Sequence, residues 1–95
     1  MPKQLFSIVG RTEENNLVIS GIFRFKETHG MTLDVIFDCL KDRNMVPSWL
    51  HLLEESENAG VNFEKFMTEL EYSIINVYGK KYWSKISPLL TTRRA

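Results

Sequence analysis

His51 and Glu55 stand four residues apart in PSWLHLLEESENAG, so a helix there puts an imidazole and a carboxylate on one face. That pair could share a metal ion, but two ligands do not make a site. A zinc site needs three or four ligands, and neither HExxH nor a further ExxH spacing occurs. The lone Cys39 follows Val35 by one turn, beside an apolar stripe, where a small apolar filler fits better than a nucleophile lacking an adjacent base. His29 precedes Gly30 in a segment that reads as loop. Asp34 with Asp38, and Glu54, Glu55 and Glu57, have the spacing of charged outer helix faces. The five glycines are scattered and make no phosphate-binding loop. The expectation is a protein that is not an enzyme and carries no metal or cofactor.

The residues that could instead make contacts lie in two places. Trp49, His51, Glu54 and Glu55 form one candidate partner-binding group on a short helix. Lys80, Lys81, Tyr82, Trp83 and Lys85, in KKYWSK, form the second. Basic groups interleaved with aromatics suit single-stranded nucleic acid, by charge and by stacking. Net charge is zero but unevenly spread. Residues 27–71 hold ten acids against three bases, whereas residues 80–95 hold five bases and no acid. This asymmetry favours an anionic partner, or attraction between the acidic middle and the basic end. AGVN (59–62) has the form of a helix-turn-helix turn, but Glu64, Glu69 and Glu71 on the following helix would repel phosphate.

These groups must be positioned by one small domain of 95 residues. QLFSIV (4–9) and NLVISGIFRFK (16–26) read as strands. The second alternates Leu17, Ile19, Gly21, Phe23 and Phe25 on one face. The polar GRTEENN between them predicts a hairpin, which must lie on helices or pair its edge with another strand. Leu33, Ile36, Phe37 and Leu40 predict a helix capped by the Thr32 hydroxyl and stopped near Asn44. Pro47 is expected to start a second helix ending at Gly60. Asn62 caps a third, with a stripe from Phe63 to Tyr78, and Gly79 ends it. A short fourth helix would stop before Pro88, leaving 89–95 frayed. The fold class is therefore α+β, an N-terminal β-hairpin (1–26) packed on three to four short helices (31–88).

The run Glu27-Thr28-His29-Gly30-Met31, followed by Leu33, Asp34, Val35 and Ile36, resembles a segment of alanyl-tRNA synthetases that precedes a helix, with Thr32 where that family usually has proline. The resemblance spans about 20 residues and includes none of the catalytic or editing motifs, so it implies no activity. The overall layout also resembles small uncharacterised proteins of bacteriophages, which would imply a regulatory or inhibitory role.

With a single cysteine, no apolar run near 20 residues and no signal-like N-terminus, the chain reads as cytoplasmic, with no membrane partner. Three functions follow in order. The first is an intracellular binding protein that regulates or inhibits a protein partner and self-associates as a homo-oligomer. The second is a nucleic-acid-binding regulator using KKYWSK. The third is a binder of a small anionic ligand, such as a nucleotide, between subunits.

Overall fold

The structure, a computed structural model, describes residues 7–92. Its elements are β1 (Ser7–Arg11), β2 (Leu17–Ser20), α1 (Ile22–His29), α2 (Leu33–Asp42), β3 (Met45–Pro47), α3 (Trp49–Asn58), α4 (Phe63–Tyr78) and α5 (Lys80–Thr92). The fold is α+β. A three-stranded sheet in the order β1-β2-β3 stands against five helices. Gln4, Leu5 and Phe6 of the first expected strand lie outside the described residues.

β1 and β2 form the expected hairpin. They pair antiparallel, with Ile8 opposite Ile19, and Val9 is the extra residue of a bulge before Gly10. The turn is closed twice by backbone: Asn15 N–H donates to Thr12 O at 2.9 Å, and Thr12 N–H to Asn16 O at 2.8 Å. Asn15 takes the left-handed conformation, φ 69°, which asparagine tolerates better than most residues.

The expected second strand is too long. It ends at Ser20, and Ile22–His29 is helix, not strand. Gly21 turns the chain at φ 90°, a conformation costly for any residue with a Cβ. The first turn of α1 has no side-chain cap of its own. The Glu55 carboxylate, from α3, takes its place: Gly21 N–H donates to Oε2 at 3.0 Å and Phe23 N–H to Oε1 at 3.2 Å. A carboxylate on free helix-N-terminal amides is favoured by both hydrogen bonding and the helix dipole. Gly30, at φ 63°, turns the chain out of α1, so His29 ends a helix and does not lie in a loop.

In α2 the expected stripe of Leu33, Ile36, Phe37 and Leu40 is fully buried. Thr32 is the N-cap, but its hydroxyl makes no capping bond. Asn44, at φ 58°, follows the helix end as expected. Pro47 does not start a helix. It ends β3, which pairs parallel to β2 with Val46 opposite Val18, and α3 begins at Trp49 behind the N-cap Ser48. Proline is tolerated there because β3 lies at the sheet edge. The Asn62 cap holds, accepting from Lys65 N–H at 3.0 Å.

The last helix also differs from expectation. α5 runs through Pro88, and Leu90 beyond it is fully buried. Burying Ile86 and Leu90 is worth roughly 1.5–3 kcal/mol each, comparable to the ~3 kcal/mol cost of an interior proline, so packing carries the helix past it. The core joins Ile19 of β2 to residues of all five helices, with Phe37, Leu53, Leu70, Ile74 and Leu90 at its centre.

Candidate functional site

The predicted contact residues on α3 do not form one surface. Glu55 is turned inward onto α1, so its carboxylate is a structural cap. His51 stays exposed, its Nδ1 2.6 Å from the Ser48 hydroxyl one turn back, at the helix start. Glu54 is exposed. His51 and Glu55 thus face different partners, and among the described residues no group of three or more His, Cys, Asp or Glu gathers to hold a metal.

Trp49 and Tyr82 come from the two separate candidate groups, and the fold joins them. Trp49 Nε1–H donates to the Tyr82 hydroxyl at 3.2 Å. Their rings meet edge-on, with centroids 6.0 Å apart, and Phe37 and Tyr78 complete an aromatic box. Tyr78 and Tyr82 lie 4.9 Å apart and 30° from parallel. The Tyr78 hydroxyl approaches Phe37 O at 3.5 Å. Burial holds the Tyr78 phenol well above its ordinary range, helped by the neighbouring Tyr82 and Asp38. Burial raises Tyr82 as well, against the lowering effect of the Trp49 bond, and Glu14 adds to the rise. Both phenols are therefore neutral hydrogen-bond donors at physiological pH.

This box changes how KKYWSK is used. Tyr82 and Trp83 are half-buried against the core, while Lys80, Lys81 and Lys85 are exposed. The rings that would alternate with lysines on a stacking surface are instead engaged from below. In the acidic middle, Lys26 stands 3.8 Å from Glu27 and from Glu69. AGVN does form a helix–turn–helix junction, but Glu64 and Glu71 are exposed on α4.

Two further surfaces emerge beside these residues. One is β1. All five of its residues are exposed, Ile8 by 65% and Val9 by 46%, and β2 is its only neighbour in the sheet of the described residues. The hairpin pattern of QLFSIV and NLVISGIFRFK had already left an edge to be covered or paired. The other is a cleft of about 600 Å³ between the β1–β2 turn, the end of α2, β3, the end of α4 and α5. Its walls carry Glu13 and Glu14, Lys41, Tyr78, Tyr82 and Lys85. Nothing local in the sequence brings the turn at 13–14 to the helix at 82–85; the pairing of β2 with β3 does so.

No helix of the described residues is long and apolar enough to cross a membrane. No protein-family model matches the chain, and no curated protein and no solved structure matches it. The segment that resembles alanyl-tRNA synthetases forms the junction from the end of α1, through Gly30, into α2.

Proposed function

We propose that this is a non-enzymatic, intracellular binding protein that regulates a protein partner, and that β1 is where the partner docks. The observation that carries this reading is the exposure of Ile8 and Val9 on a strand whose outer edge has no partner strand among the described residues. A free edge offers unpaired backbone amides and carbonyls to an added strand, and exposed alternate side chains add specificity. The bulge at Val9 sharpens the local twist and so restricts which strands can pair, which separates a binding edge from an aggregating one. The engaged rings of Tyr82 and Trp83 favour this reading over nucleic-acid binding through the basic segment.

The test compares the wild type with an Ile8→Lys, Val9→Lys double variant. Both positions are exposed, so stability should change by no more than ~0.5 kcal/mol per site. Co-purification from cells should then recover a partner with the wild type and lose it with the variant. Sedimentation would show whether that partner is a second copy. Identical sets of partners for the two proteins would overturn the proposal.

A further inference from the structure

The cleft is built from fixed parts. The turn that carries Glu13 and Glu14 is closed by the Thr12–Asn15 and Thr12–Asn16 backbone bonds and by Asn16 N–H to Thr12 Oγ1 at 3.1 Å. Arg11 Nη1 clamps it from outside, donating to Asn15 O at 3.2 Å and to Oδ1 at 3.1 Å. The opposite wall is tied to the sheet by Leu17 N–H donating to Asn44 O at 3.3 Å. A volume near 600 Å³ lies in the range of small-molecule sites, roughly 300–1,000 Å³.

Its charges are segregated. Glu13 and Glu14 line it from the turn, and Lys41 of α2 and Lys85 of α5 line it from the helical walls. They line one cleft, yet no carboxylate of Glu13 or Glu14 comes within ion-pair distance of either lysine. Lys41 spends one hydrogen on Val77 O at 3.0 Å, which leaves two. The Tyr82 hydroxyl accepts from Trp49 and so keeps its own proton for a partner in the cleft. Between the charged walls lie the Tyr78 and Tyr82 side chains with Met45 and Val46.

From this we infer that the cleft is a binding site for a small zwitterion with an apolar body, of the class of free aromatic amino acids. The ligand ammonium meets Glu13 and Glu14, its carboxylate meets Lys85, Lys41 and the Tyr82 hydroxyl, and its side chain lies against Tyr78, Tyr82 and Met45. A simple anion would satisfy the lysines but face the two glutamates; a simple cation would do the reverse. Only a ligand carrying both charges is matched on both walls. This site is separate from the β1 edge and does not depend on it.

The experiment is an amide NMR titration of the whole chain with L-phenylalanine, beside 3-phenylpropionate and phenethylamine, which each lack one charge. Saturable shifts are expected at 12–16, 41–46 and 78–85 with phenylalanine, and about tenfold weaker binding for each analogue, the equivalent of ~1.4 kcal/mol per lost charge pair. Lys85→Glu and Glu14→Lys, both at exposed positions, should each weaken phenylalanine by at least the same factor while leaving the spectrum of the free protein folded. Absence of saturable shifts at millimolar phenylalanine overturns the inference. So does equal binding of either analogue, which would make this a plain anion or cation site.

Discussion

Glu55 shows how a residue's role depends on where its neighbours fold. By spacing it belongs with His51; by structure it closes the amides of Gly21 and Phe23. Removing it leaves two half-buried donors unpaired. Glu55→Ala should therefore lower unfolding free energy by about 1–2 kcal/mol in urea denaturation, whereas Glu71→Ala on the exposed face of α4 should change it by less than about 0.5 kcal/mol. The two tyrosines of the aromatic box make a second prediction at this scale. The folded protein holds both phenolic protons more tightly than the unfolded chain does. That advantage is complete below the unfolded phenol value of about 10 and fades as pH rises above it. Thermal stability should therefore fall on the alkaline side of pH ~10, in step with tyrosinate absorbance, and Tyr78→Phe should make that fall shallower. A stability that stays flat through the tyrosinate transition would contradict this.

At the scale of elements, the parts of the fold that were legible in the sequence are those that local pattern determines. The α2 stripe, the turn at 12–16, the Asn62 cap and the glycine after Tyr78 all stand where spacing placed them. The misread parts depend on distant contacts. IFRFKETH is short enough for Phe23 and Phe25 to fit a strand period as well as a helix face, and a carboxylate more than thirty residues away decides between them. MVP is a three-residue strand that exists only because β2 is there to pair with it. The candidate surfaces were legible to different degrees. The hairpin edge was visible in the pattern, but the cleft was not, because residues of the β1–β2 turn, α2, β3, α4 and α5 line it together. Two substitutions test these element-level causes. Gly21→Ala forces a Cβ into the left-handed region and should cost about 1–2 kcal/mol, while Gly10→Ala, with open space around its Cβ, should cost less. Leu90→Ala should cost about 2–5 kcal/mol if α5 packs beyond Pro88 as described, and Leu89→Ala, mostly exposed, far less. Equal and small effects at 89 and 90 would mean that the helix end contributes nothing to the core.

For the whole molecule, the helices seal one core, and β1 is left outside it. Its backbone is held by β2 alone within the described sheet, and its side chains reach solvent on both faces. A domain of this size has little stability to spare for an exposed apolar strand, so the exposure asks for a use. The measurement that tests this most directly is site-specific photo-crosslinking in cells, with the reactive group at Ile8 and, for comparison, at the exposed Arg24 on α1. A discrete protein adduct, to a partner or to a second copy, is expected from position 8 and not from position 24. The same adducts from both positions, or none from position 8, would contradict it.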